Sequence, residues 1–67
     1  MTKHEFCQLM AEGHRSAGND LRDRAHNVMR ARNFEHSDRL NSLADQEFAR
    51  HRAFKTLADA FEEHENE

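Results

Sequence analysis

The sequence predicts an all-α protein, either a helical hairpin or a three-helix unit that assembles as a dimeric bundle. Its 67 residues include no proline and only two glycines, which favours long helices. Tyr and Trp are absent and β-branched residues are scarce, so strand propensity is low. In the C-terminal half, apolar residues recur at steps of three and four, the spacing that places them on one face of a helix: Leu40, Leu43, Ala44, Phe48, Phe54, Leu57, Ala58 and Phe61.

The first helix is predicted to begin after Thr2 and to run through about residue 16. Thr2 and Glu5 stand three positions apart and form a capping box. Phe6, Leu9 and Met10 follow on one face. The small residues Gly13 and Ala17 share that face and permit close approach of another helix.

Gly18 admits two interpretations. A break at Gly18, with Asn19 or Asp20 capping a second helix over 20–32, makes a three-helix unit. A single helix through position 32 makes a hairpin, at a cost of about 1 kcal/mol for a glycine inside a helix. We favour the break, because three cap-forming residues cluster beside the glycine: Ser16, Asn19 and Asp20.

The chain is predicted to turn within 33–37, with Phe34 folded back onto the core. Ser37 and Asp38 resemble a helix start, so the last helix is expected over 37–62. Residues 63–67 form an acidic tail that opposes the helix dipole and is expected to fray.

One domain over 1–67 is expected, with a core of about a dozen large side chains. A monomeric hairpin leaves much of this set exposed, so a homodimer is predicted. The predicted core is Phe6, Leu9, Met10, Leu21, Val28, Met29, Leu40, Leu43, Phe48, Phe54, Leu57 and Phe61.

Six histidines raise the question of a metal site. Glu47 with His51 and Asp23 with His26 have the i,i+4 and i,i+3 spacings that let two ligands converge. Surface pairs explain these spacings equally well, so no metal or other cofactor is predicted. Cys7 is the only cysteine and lies next to an apolar stripe position, where a thiol is inert. Neither a glycine elbow around a serine nor a phosphate-binding glycine loop occurs, so no catalytic residue and no enzyme activity is predicted.

Charge is distributed unevenly along the chain, which carries −3 in total. Residues 1–32 hold six basic and four acidic residues, whereas residues 33–67 hold four basic and nine acidic ones. Candidate nucleic-acid-binding residues lie in the basic half, where guanidinium groups could follow a phosphate backbone: Arg15, Arg22, Arg24, Arg30 and Arg32. A solvated face that pairs with the acidic half is the simpler explanation.

No segment has the apolar length of a membrane span, and the start of the chain lacks a secretory signal core. The lone cysteine fits a reducing compartment. A cytoplasmic protein without membrane contact is therefore expected.

The opening Met1-Thr2-Lys3 with Glu5 resembles the plasmid RNA-binding Rop family, whose helical hairpins dimerise into four-helix bundles. The likeness covers only these first residues. Met10, His14 and Gly18 depart from that family's pattern, so RNA binding is not implied. In its size and its content of His and Arg the chain is also similar to small accessory proteins of lambda-like bacteriophages, encoded between the recombination and excision genes. That resemblance implies an early protein that binds a bacterial host partner.

The predicted function is non-catalytic protein–protein interaction, in the form of a phage regulator that acts on a host factor. The alternative is a small nucleic-acid-binding regulator that uses the arginines. Phosphate binding weakens steeply as salt rises and an apolar protein interface does not, so salt dependence separates the two.

Overall fold

The protein is a single antiparallel helical hairpin. The computed structural model describes residues 1–65. Helix α1 spans Lys3–Arg30 and helix α2 spans Phe34–Glu65. The Cα positions extend over 53 × 15 × 10 Å, so the hairpin is a flat rod one helix thick. The all-α prediction is confirmed, and of the two architectures the structure has the hairpin.

Helix α1 begins where the capping residues predict. The backbone N–H of Glu5 donates to the Thr2 hydroxyl oxygen at 3.0 Å, and Thr2 has extended backbone angles. This bond satisfies one of the free N–H groups in the first turn.

The predicted break at Gly18 is wrong, because α1 continues through it to Arg30. Gly18 does not adopt a positive φ. It is buried against Phe48, and a Cβ at this position would lie 2.9 Å from two atoms of that ring. The glycine therefore makes room for a side chain of α2 instead of ending a helix. The predicted helices 2–16 and 20–32 are one helix.

The turn occupies residues 31–33, earlier than predicted. The N–H groups of Arg32 and Asn33 donate to the carbonyls of Met29 and Val28, at 2.8 and 2.9 Å. These two bonds form a Schellman motif whose left-handed residue is Arg32, with a φ of 62°.

Asn33, not Ser37, caps α2. Its side-chain oxygen accepts from the N–H of His36 at 3.3 Å. Phe34 is 60% exposed and does not fold back onto the core. At the other end α2 continues through Glu65, past the predicted limit of 62. The rest of the predicted acidic tail, residues 66–67, lies outside the described residues.

The two helices meet along small residues spaced by seven. Ala11, Gly18 and Ala25 of α1 are buried, as are Ser37, Ala44 and Ala58 of α2. A seven-residue repeat keeps the same side of each helix turned toward its neighbour. We call this contact the seam and define it by His4, Ala11, Gly18 and Ala25 of α1 and Ser37, Ala44, His51 and Ala58 of α2.

Side-chain hydrogen bonds cross the seam to backbone carbonyls. The Ser37 hydroxyl donates to the carbonyl of Ala25 at 3.0 Å. His4 and His51 each donate through Nδ1 to a carbonyl opposite, those of Ala58 and Ala11, both at 2.8 Å. The residue numbers in each facing pair add up to the same value of 62, so the bonds define one antiparallel register. In each pair the residue that accepts the bond is an alanine. Its small side chain lets the two helices approach closely enough for the Ser or His side chain opposite to reach the backbone carbonyl.

Candidate interaction surface

The predicted core residues lie beside the seam and remain partly exposed. Of the predicted twelve, Phe6, Leu9, Met29, Leu43 and Leu57 are exposed, and the other seven are only half-buried. The fully buried positions carry Cys, Ala, Gly and Ser instead. The hairpin therefore covers these large side chains only in part, as expected of a monomeric hairpin.

Most of these large side chains share one side of the hairpin. Contacts between the helices show which positions face the same way: His14 stacks on Phe54, and the Lys3 ammonium lies 5.7 Å from the centre of the Phe61 ring. Residues in heptad register with these contacts, together with residues three positions along from them on the same side of the helix, form a strip along both helices. We call it the apolar face and define it by Phe6, Met10, Leu21 and Val28 of α1 and Leu40, Leu43, Phe54, Leu57 and Phe61 of α2.

A polar group interrupts the apolar face near its middle. Glu47 accepts from Nδ1 of His14 at 2.5 Å through one carboxylate oxygen and from Arg50 at 2.7 Å through the other. The His14 ring also lies against Phe54, with ring centroids 5.5 Å apart and planes 11° from parallel. We call His14, Glu47 and Arg50 the central cluster. It is an ionic group that joins α1 to α2 on this side.

We expect the central cluster to make the stability of the hairpin sensitive to acid. The hydrogen bond from His14 lowers the pKa of Glu47 below its ordinary value of 4.5, and Arg50 lowers it further, against an opposing effect of desolvation. A carboxyl whose pKa is lower in the folded chain stabilises the fold above its unfolded pKa, and this contribution is lost as pH falls through the folded pKa.

We therefore expect Glu47→Gln to flatten the acid response. The drop in urea midpoint between pH 7 and pH 3, followed by circular dichroism, should be smaller in Glu47→Gln than in the native chain. Glu12→Gln is the matched control, because Glu12 is exposed and lies 4.0 Å from Arg15, a pair too weak to affect stability measurably. An equal drop in all three proteins would contradict the assignment to Glu47.

The opposite side of the hairpin is polar. Arg22 donates to Asp45 at 2.8 Å and lies over the ring of Phe48, 5.0 Å from its centre. Toward the open end of the hairpin this side holds a shallow groove of about 820 Å³ whose lining mixes acidic, basic and apolar groups. Glu5, Glu12, Arg15, Lys55 and Asp59 are among the lining residues.

The five candidate arginines do not form one surface. Arg15 and Arg22 are one heptad apart on the polar side, and each is paired with a carboxylate. Arg24 projects toward the apolar-face side, Arg30 lies on the outer side of α1, and Arg32 is in the turn. A phosphate backbone that contacts Arg22 on the polar side would therefore not also contact Arg24, which lies toward the opposite side of the hairpin.

The residue pairs considered for metal binding do not combine into one site. Glu47 is held by His14 and Arg50, whereas His51 is hydrogen-bonded to the Ala11 carbonyl across the seam. Asp23 and His26 are exposed on α1. Within residues 1–65, no three His, Cys, Asp or Glu side chains come close enough to share a metal ion. Cys7 is a buried free thiol.

Comparison with known proteins yields no relative: no family model matches the chain, and neither a curated protein nor a solved structure matches it significantly. No helix among the described residues combines the length and apolarity that crossing a membrane requires.

Proposed function

We propose that this protein is a non-catalytic interaction protein whose apolar face is covered by a second copy of the chain, so that it acts as a homodimer. The observation that carries the proposal is the segregation of large apolar side chains to one side of a hairpin that is a single helix thick. A strip of this kind on a soluble chain marks an interaction site.

The exposed area supports a missing partner. The hairpin exposes 5158 Å². A compact monomer of 7.9 kDa exposes only about 4,400 Å². A rectangle of 53 × 15 Å covers about 800 Å², the area that each partner contributes to a standard protein interface. One face of the hairpin is thus large enough for a specific dimer.

The shape of the surface favours a helical partner with the same pattern. Two flat helix pairs packed face to face make a four-helix bundle, in which each copy covers the strip of the other. The apolar face carries few charges besides the central cluster, whereas the polar side carries ion pairs that need contact with water. A second copy therefore covers the side whose exposure to water is least favourable.

In its wider form, the proposal makes this dimer a regulator that binds a protein of a bacterial host. The polar side remains exposed in the dimer and is available to that partner. This part rests on the resemblance to phage accessory proteins, and the dimer does not depend on it.

The alternative, a nucleic-acid-binding regulator, is supported only by the number of arginines on α1. Arg22 already has a carboxylate partner at 2.8 Å, Arg15 lies 4.0 Å from one, and the others point in different directions. A phosphate-binding surface would need these side chains to converge.

Sedimentation equilibrium at several protein concentrations tests the proposal. We expect twice the 7.9 kDa chain mass at micromolar concentration, in both 0.1 and 1 M NaCl, because apolar contact is not weakened by salt. A chain mass of 7.9 kDa at all concentrations would overturn the homodimer. Binding of DNA or RNA that disappears at the higher salt would support the arginine alternative instead.

A further inference from the structure

We propose that the two copies pack antiparallel about a twofold axis that is perpendicular to the helices and passes beside the central cluster, so that Arg50 of each copy binds Glu47 of the other. The inference rests on the homodimer proposed above and specifies its geometry. It assigns Glu47 and Arg50 as the residues that determine orientation and register.

The spacing of the residues on α2 places the axis. Phe54 follows Glu47 by seven residues and Leu40 precedes it by seven, so one apolar residue lies a heptad away on either side. A twofold rotation between Glu47 and Arg50 brings Phe54 of one copy level with Leu43 of the other, and Leu57 level with Leu40. Glu47 and Arg50 of the two copies meet at the axis, where each has a partner of opposite charge.

The residues of α1 fit the same axis. Gly13 precedes His14, and Met10 and Ala17 lie four residues before and three after it. The rotation brings the two Gly13 positions together and sets the long side chain of Met10 against the small Ala17. A Cβ at Gly13 would meet nothing within 4 Å beyond the backbone of its own helix, so this surface is open to another helix. Small residues at this contact allow the two α1 helices to approach closely.

The sizes of the side chains favour the antiparallel orientation over the parallel one. All three aromatic residues of the apolar face lie toward the open end of the hairpin: Phe6, Phe54 and Phe61. Toward the turn the face carries the aliphatic Leu21, Val28, Leu40 and Leu43. A parallel dimer would crowd six aromatic rings at one end and leave the other end thin. The antiparallel dimer packs the aromatic end of each copy on the aliphatic end of the other, which keeps the packing even along the bundle.

The central cluster has capacity for the second set of contacts. Each Glu47 oxygen accepts one hydrogen bond within its own chain, and a carboxylate offers about four acceptor sites. The Arg50 side chain is 55% exposed and one of its nitrogens is engaged. Charges that alternate across the axis make the surface self-complementary, as a twofold interface requires.

Disulfide cross-linking tests the orientation in the full chain. In a Cys7→Ala background, Gly13→Cys should form a covalent dimer under mild oxidation, because the axis brings position 13 next to its copy. Ser16→Cys, three residues away on the exposed outer side of α1, is the matched control and should not cross-link. In a parallel dimer the α1 helices lie diagonally across the bundle, so Gly13→Cys would not cross-link with itself.

The cross-linking result is interpreted together with the mass of the uncross-linked protein in sedimentation equilibrium. A dimer in sedimentation with a Gly13→Cys disulfide supports the antiparallel geometry. A dimer that yields no Gly13→Cys disulfide overturns the geometry and leaves the homodimer standing. A monomer in sedimentation overturns the homodimer itself.

Charge reversal tests the crossed ion pairs. Arg50→Glu places a carboxylate against Glu47 of the other copy at two symmetric positions, and we expect the dimer dissociation constant to rise at least about tenfold. Arg52→Glu changes the charge equally two residues along α2, on the polar side, and should leave the constant within about twofold of the native value. Helix content from circular dichroism confirms that both variants fold. Equal constants for the two variants would overturn the pairing of Arg50 with Glu47.

Discussion

Replacing Ala44 with Leu is expected to destabilise the hairpin strongly. Ala44 is completely buried, and its seam register places it opposite Gly18. Three added carbon atoms have no space between two helices that are held together by cross-seam hydrogen bonds. Overpacking of this kind costs about 1–3 kcal/mol and sometimes more. The core of a domain of this size supplies only about 3–5 kcal/mol of stability. We therefore expect a large fraction of the Ala44→Leu molecules to be unfolded at 37 °C.

Urea denaturation followed by circular dichroism measures this effect, at one protein concentration for all variants because a dimer unfolds in a concentration-dependent manner. Ala49→Leu is the matched control: it adds the same atoms to the same helix at an exposed position. We expect its midpoint to stay close to the native one. If Ala44→Leu and Ala49→Leu denature at the same urea concentration, Ala44 does not lie in a tight seam.

The fold class could be predicted because it depends on features that act locally. The absence of proline and the Thr2 cap act on the chain without reference to its partners. The end of α1 and the status of Gly18 could not be predicted in the same way. Gly18 serves equally well as a helix terminator and as a point of close contact, and only the position of Phe48, 30 residues away in sequence, decides between them.

The seam was not predicted, for a related reason. A hydrophobic pattern identifies the residues that must leave water but not which of them meet inside one chain. In this hairpin small residues occupy the seam, and large ones flank it. A seven-residue recurrence of small residues, Ala11–Gly18–Ala25 on α1 and Ser37–Ala44 on α2, is the signal by which the sequence could have shown the seam.

The central cluster lay beyond sequence reasoning altogether. His14 and Glu47 are 33 residues apart, and nothing in their local sequence connects them. Local spacing pairs Glu47 with His51, its neighbour at i+4, but the two side chains bond to different groups on α1. Helical spacing shows which residues share a face, whereas the register of the hairpin decides which of them meet.

Replacing Leu57 with Glu is expected to dissociate the proposed homodimer. Leu57 is 46% exposed in the hairpin and belongs to the apolar face, so in the dimer two copies of the new carboxylate would be buried without a cationic partner. We expect the dissociation constant to rise at least about a hundredfold, which corresponds to about 3 kcal/mol. Leu9→Glu is the matched control, because Leu9 is 59% exposed in the hairpin but lies on the outer side of α1 and stays in water in the dimer. Sedimentation equilibrium should therefore show a monomer for Leu57→Glu and a dimer for Leu9→Glu, at a concentration at which both remain helical. The reverse result would place the interface on the outer side of α1, and equal dissociation constants would remove the apolar face from the interface.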